Sequence, residues 1–399
     1  MMLAYIKNKD ETKCCGCKSC VQICPTKSLY MQNNKEGFQY PELDVNSCIN
    51  CNLCEQVCPM ENKPKKNSII DIYAAQHIDD HILKNSSSGG MFRALSNEII
   101  MKYKGYVVGC SWDENNHPVF TMENKIDKLQ KMQGSKYLYS DTKQIFKEIK
   151  NKLDDEKIVL FTGSPCQCAA LLLYLRKDYP NLYTADFLCH GMPSWKLFDT
   201  YINSLEKKFN SKIKNIKFRD KDKLGWSHTF SFEYYHNHKT KKKYFIGNTN
   251  PYTYAFTNNL INRLACYECQ FRGESRYTDI TFCDFWGVDD FIKDFEVRKG
   301  VSACSVNTDK GQRLIDSIKS TLVLIKTDIT KVSIQNKSIL NCGKEIIPDL
   351  RTQIYSIVDE KGWDYASKKY FTNNQVRLKK IYYKLPRKIT NIIKLILRR

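Results

Sequence analysis

The stretch "CCGCKSCVQICP", residues 14–25, holds five cysteines and ends in proline. Its spacing is Cys14-x2-Cys17-x2-Cys20-x3-Cys24-Pro25, and the same spacing recurs as Cys48-x2-Cys51-x2-Cys54-x3-Cys58-Pro59. A tetrahedral zinc site needs only two C-x2-C pairs. It leaves the third cysteine, the fourth and the proline of each run unexplained. A disulfide knot fits poorly too. The opening "MMLAYIKNKD" carries no apolar stretch of signal-peptide length, so the 18 cysteines are expected in a reducing compartment, where thiols bind metal or do redox chemistry. The expected location is the cytoplasm.

A tight loop can bring three thiolates to three irons of a cubane cluster, and the fourth must arrive from elsewhere. In two-cluster ferredoxins the last cysteine of each run crosses to the other cluster. The spacing therefore predicts one [4Fe–4S] cluster on Cys14, Cys17, Cys20 and Cys58, and a second on Cys48, Cys51, Cys54 and Cys24. Cys15 is left over and is expected to point away. Between the runs, "SLYMQNNKEGFQYPEL" reads as strand, Asn/Gly turn and strand, a hairpin joining two halves. Two low-potential clusters side by side mean electron transfer.

The whole chain of 399 residues has room for two or three domains, with 42% hydrophobic and 27% charged residues, an ordinary globular mixture. No run approaches the ~18–20 apolar residues that cross a bilayer. The net charge of +20 is unevenly placed. Residues 1–60 hold six basic and six acidic side chains, whereas residues 371–399 hold nine basic and none acidic. Apart from "KPKK" at Lys63–Lys66 and "HKTKKK" at His238–Lys243, the rest is scattered lysine. Both runs read as solvated surface, and nucleic acid is not an expected partner.

After the polar linker "ENKPKKNS", Glu61–Ser68, the pattern becomes mixed α/β. "IIDIYAAQH" and "GYVVGCSW" read as strands. "KNSSSGGMFRALSNEIIMKY" is a Ser/Gly loop opening a helix with Met91, Leu95, Ile99 and Ile100 among its apolar positions. "KIVLFTGSPCQCAALLLYL" is a buried strand, a turn and an apolar helix, and "YTADFLCHG" ends a strand near Cys189. Both helix starts suit an anion, or serine capping. Cys166 opens the second helix, a position that lowers a thiol's pKa. Cys266-x2-Cys269 supplies half a metal site, whose other half must come from distant thiols at element ends, such as Cys166 and Cys189.

Five pieces in fixed order, "SSSGGMF", "GSPCQCAALL", "DFLCHGMPS", "NRLACYECQFRGESRYTDIT" and "DFWG", resemble the beta subunits of coenzyme F420 hydrogenases and dehydrogenases and their bacterial relatives. They run from Ser86 to Gly287, and a two-cluster head is a usual companion. The resemblance implies a third [4Fe–4S] cluster on Cys166, Cys189, Cys266 and Cys269. It also implies a flavin, FAD or FMN, against Ser87, Ser88, Gly89, Gly90, Gly163, Ser164 and Asp284. Cys283 departs from the pattern, standing where relatives carry glycine, and reads as a tolerated buried thiol. Phe282, Phe285 and Trp286 could stack on a flavin ring, though aromatics at a strand end are more often core.

The expected fold is an α+β ferredoxin-like head at 1–62 and a mixed α/β iron–sulfur flavoprotein-type domain in two parts, 69–155 and 156–325. A helical basic tail follows at 326–399. In "LPRKITNIIKLILRR" the residues Ile389, Ile392, Ile393, Ile396 and Leu397 share one helical face. That helix suits either an anionic membrane interface or docking on protein. The expected function is an iron–sulfur oxidoreductase fed by a ferredoxin or reductase and reducing an organic substrate. Relatives with this head and body point to a sugar derivative of surface-polysaccharide synthesis at the inner membrane face. The alternative is an electron-transfer subunit with no substrate of its own.

Overall fold

The computed structural model describes residues 3–247, 249–336, 339–340, 349–372, 374–383 and 385. The predicted hairpin is present as β1 (Leu29–Asn33) and β2 (Gln39–Leu43), antiparallel, with Leu29 opposite Leu43. Asn34 and Gly37 make its turn: the Phe38 N–H donates to the Asn34 side chain, and Gly37 adopts φ +81°. Two short helices, Ser19–Ile23 and Leu53–Gln56, follow the first cysteines of each run. Among the described residues the head's own core cluster is small, with Leu3, Cys20 and Leu29 as its buried members. So small a core cannot order some sixty residues unaided. The head borrows from the body: Tyr5, Phe38 and Tyr40 join a large core with Phe198, Tyr201, Tyr252 and Trp363.

The body begins with β3 (Asp71–His77), β4 (Tyr106–Trp112), β5 (Pro118–Glu123), β6 (Val159–Gly163) and β7 (Leu182–Phe187). Next come β8 (Lys214–Lys217), β9 (Phe230–His236) and β10 (Lys239–Phe245), and then β11 (Ile280–Asp284), β12 (Ser302–Val306) and β13 (Leu322–Thr327). Eight of these form one sheet in the order β13-β3-β12-β11-β7-β6-β4-β5. Its centre, β4-β6-β7-β11, is parallel, and the strands outside it pair antiparallel. Alternation along β6 shows how both faces are covered. Leu160 packs with the Met91–Met101 and Asp309–Ile318 helices, whereas Val159 and Phe161 pack with Ile145–Asp154 and Pro165–Leu175. Met91, Leu95, Ile99 and Ile100 are all buried, as the periodicity requires.

The two parts of the body, 69–155 and 156–325, share a single sheet, because β4 pairs with β6 across their division. One expected boundary shifts. The break at 325/326 falls inside β13, which β3 recruits by antiparallel pairing. The "HKTKKK" run lies at the turn and on β10, the edge of a separate three-stranded sheet, where lysines in solvent discourage further strand pairing. The helix expected in Pro386–Arg399 lies outside the described residues.

Candidate metal centres

The first cysteine loop is shaped by Gly16, whose φ of +72° reverses the chain between Cys15 and Cys17 and lets its N–H donate to the Cys14 sulfur at 3.4 Å. The body then grips the loop. Arg263 Nε donates to the Cys14 carbonyl at 2.6 Å, the Tyr139 hydroxyl to Gly16 at 3.0 Å, and Thr142 Oγ1 to Cys17 at 2.9 Å. Lys18 pairs with Asp141 at 2.7 Å. The second loop faces outward, with Cys51 and Asn50 exposed. Nothing in a cysteine spacing foretells Tyr139, Thr142 or Arg263 as the grip, because each comes from far along the chain.

Among the described residues no three His, Cys, Asp or Glu side chains converge tightly enough to hold a single metal ion. The thiols instead line three cavities. Cys14, Cys17, Cys20 and Cys58 surround an empty volume of about 410 Å³, the inner head cavity. Cys24, Cys48, Cys51 and Cys54 surround about 500 Å³, the outer head cavity. The last cysteine of each run thus sits with the other run's first three, as crossed ligation requires.

The electrostatics of the donor sets fit clusters. Burial, with the neighbouring Cys14 and Cys58 thiols, pushes Cys20 well above the usual thiol range, and burial pushes Cys58 up to about 12. Thiols so buried and crowded resist ionising unless positive charge lies between them, which the irons of a cluster supply. Cys24 differs. Burial works to raise it, but hydrogen bonds with Ser28 and Thr26 outweigh that and hold it at about 7.

A third cavity, about 560 Å³, lies in the body and is lined by Cys166, Cys189, Cys266 and Cys269 together with Arg272 and Arg276. Distant segments converge here. Cys166 stands in the first turn of the Pro165–Leu175 helix, whose N-terminus carries a Ser164/Gln167 capping box. Cys189 follows β7, and Cys266 and Cys269 belong to the short Leu264–Tyr267 helix and the turn after it. The helix terminus does not lower the Cys166 thiol as expected. A hydrogen bond with Cys15 and then burial push it well up. Burial likewise pushes Cys189 up to about 12.

Cys15 does not point away from the protein. It is buried, hydrogen-bonded to Cys166, and it lines both the inner head cavity and the body cavity, as does Met60. The turn at Gly16 sends neighbouring thiols in different directions, so Cys14 and Cys17 serve one cavity and Cys15 the wall between two.

The residues implied for a flavin divide between two places. Gly163 and Ser164 lie beside the body cavity, with Ser164 Oγ at 3.3 Å from the Cys166 sulfur. Ser87–Gly90 lie by β12 and Asp284, and their polar groups serve the protein itself. Ser87 Oγ accepts from the Ser135 N–H, Ser88 Oγ donates to the Val301 carbonyl, and the Gly89 N–H donates to Ser302 Oγ. A Cβ on Gly89 would fall 2.1 Å from the Ala75 carbonyl oxygen, so close packing already requires the glycine at 89. Asp284 is held by Arg219, at 2.6 and 3.2 Å, and by Trp226 at 2.9 Å. Trp286 stacks on Trp226 with ring centroids 4.1 Å apart, and Phe285 is core. Cys283 lines none of the three cysteine cavities and packs beside Phe285 and Val301.

The profile for the C terminus of the coenzyme F420 hydrogenase/dehydrogenase beta subunit matches residues 156–332, which hold all four body cysteines, and a 4Fe-4S dicluster domain matches residues 13–62. Residues 156–332 thus match the C-terminal domain of that beta subunit, to which the chain is related. No curated protein matches it. Among solved structures, a chain of the xenon-derivatised F420-reducing [NiFe] hydrogenase complex from Methanosarcina barkeri is similar. The two are 17% identical with a TM-score of 0.43, over 76% of this chain and 91% of that one. The chain is an iron–sulfur electron-transfer protein related to that beta subunit, with an N-terminal dicluster domain.

Proposed function

We propose that this chain is a three-site electron relay, with [4Fe–4S] clusters in the outer head, inner head and body cavities. A small ferredoxin or reductase would deliver electrons at the outer site. The carrying observation is that all twelve expected ligands line three cavities as three sets of four. Bound clusters supply one-electron carriers at low potential. The chain's own residues arrange them. Cys51 keeps the outer site at the surface, the Arg263, Tyr139 and Thr142 contacts hold the inner loop on the body, and Cys15 and Met60 form the thin wall beyond it. Electrons leave at the body site for an oxidised acceptor.

The relay is favoured over a self-sufficient reductase of an organic substrate because the Ser88 hydroxyl and the Gly89 N–H donate within the protein and the Ser87 hydroxyl accepts from Ser135. The self-sufficient reading, with a sugar derivative of surface-polysaccharide synthesis as substrate, needs a flavin to join one-electron carriers to a two-electron step. Iron, sulfide and released flavin are to be counted after purification without oxygen. About twelve irons and no flavin support the relay. About twelve irons with about one flavin support the reductase, and about eight irons would remove the body site from both. The basic tail is proposed as a peripheral contact with an anionic membrane face. Among the described residues no helix is long and apolar enough to cross one.

A further inference from the structure

Arg263 is a body residue that reaches into the head. It is fully buried and caps the helix that carries Cys266, whose N–H donates to the Arg263 carbonyl at 2.9 Å. Its guanidinium lies over the Tyr40 ring, 3.9 Å from the centroid. Nε is taken by the Cys14 carbonyl at 2.6 Å and Nη2 by the Gln39 carbonyl at 2.9 Å. Nη1 has no partner among the described residues. It lies against the ligand loop, since a Cβ on Gly16 would fall 3.0 Å from it.

Three other buried arginines show what is missing. Arg219 pairs with Asp284, Arg276 with Asp186, and Arg351 with Glu36, at 2.6, 3.0 and 2.5 Å. Among the described residues no carboxylate lies within ion-pair distance of Arg263. A guanidinium is charged at every ordinary pH, and a buried charge with no counter-charge is strongly unfavourable. The neutral carbonyls and the ring face compensate it only in part. A cluster bound by Cys14, Cys17, Cys20 and Cys58 is a net anion, because its thiolates outweigh the charge of the iron–sulfide core. It becomes more negative when it accepts an electron.

We propose that Arg263 is the counter-ion of the inner head cluster and raises that cluster's reduction potential. The proposal rests on the cluster assignment above. The step concerned is the transfer of one electron from a low-potential donor to the oxidised cluster. No bond forms or breaks and no proton moves, so the added negative charge stays beside Nη1. Arg263 acts through charge and position and ligates nothing.

The test is a redox titration without oxygen, with dithionite as reductant, read by electron paramagnetic resonance on wild type, Arg263→Lys and Arg263→Met. The inner cluster's signal is the one absent from Cys14→Ala. In Arg263→Met its reduction equilibrium is expected to move at least tenfold toward the oxidised form, about 59 mV for one electron. Arg263→Lys should recover most of that shift, and the outer cluster should stay unmoved in both. Loss of the inner cluster from the Met variant alone, with the Lys variant near wild type, also supports the charge role. Equal potentials in all three proteins overturn it, as does loss of the inner cluster from both variants. A wild type with no inner signal defeats the cluster assignment itself, a result distinct from either.

Discussion

Replacing Cys58 by alanine tests the crossed ligation on which the head depends. The first loop should stay in place without this thiol. It is tied to the body by Arg263 to Cys14, Tyr139 to Gly16, Thr142 to Cys17 and the Phe146 N–H to Gln22, at 2.6, 3.0, 2.9 and 3.0 Å. At ~1 kcal/mol each these bonds contribute about 4 kcal/mol, and Phe38 and Tyr40 remain in the body core. The damage should therefore be local. One of three four-iron sites is lost, and iron falls from about twelve to about eight per chain. Alanine is the right replacement, because a serine oxygen could still ligate. The assay is iron analysis with electron paramagnetic resonance of the reduced protein, alongside Cys14→Ala and Cys48→Ala as inner and outer references. Cys58→Ala should lack the signal that Cys14→Ala lacks. If it lacks the Cys48→Ala signal instead, each run keeps its own fourth cysteine and the reasoning from the cavities is wrong.

Cys15→Ala should keep about twelve irons, since Cys15 walls two cavities and ligates in neither; loss of about four irons would make it a ligand. Arg219→Met strands a buried carboxylate at Asp284 and should cost about 3–5 kcal/mol, whereas Arg219→Met with Asp284→Asn should cost clearly less, both read from urea midpoints. Burial works to raise the Asp284 carboxyl, but Arg219 and Trp226 overcome it and hold it below the usual range. The pair's stabilisation is thus present above about pH 4, the unfolded carboxyl's value, and is lost as pH falls through the folded one. In Arg219→Met burial is opposed by the Trp226 and Ser88 bonds without the guanidinium, the carboxyl rises, and where it passes the unfolded value stability should fall as pH increases from about 4. Gly89→Ala pushes a methyl into the Ala75 carbonyl and should cost about 1–3 kcal/mol by the same midpoints. Deleting residues 386–399 should leave iron content and cluster reduction unchanged while abolishing co-sedimentation with anionic lipid vesicles. Equal sedimentation of both chains would remove the membrane proposal.

The grouping of the eight head cysteines into two crossed sets around separate cavities was legible because a cubane imposes its spacing on a loop of about ten residues, and such local geometry is written directly in the chain. The hairpin between the runs, the Met91–Met101 helix and the strands of the parallel centre were legible for a like reason, since period and turn chemistry are local. The body set was different. Cys166, Cys189 and the Cys266/Cys269 pair carry no shared spacing; their places at element ends suggested the set and the resemblance implied it, and the fold brought them to one cavity. Asp284 could be read as a ligand contact in sequence. In the fold it answers Arg219 and Trp226, because a buried carboxylate takes the strongest donors that packing offers.

Sequence therefore determined the cluster type, the two head sets and the strand–helix alternation, because each follows from residues near one another in the chain. The tertiary structure alone decided which cavities adjoin, that Cys15 and Met60 separate the inner head site from the body site, and that Arg263 arrives uncompensated beside Cys14. Charge and proximity between segments so far apart in the chain depend on how the sheet and cores pack, and no spacing rule encodes that.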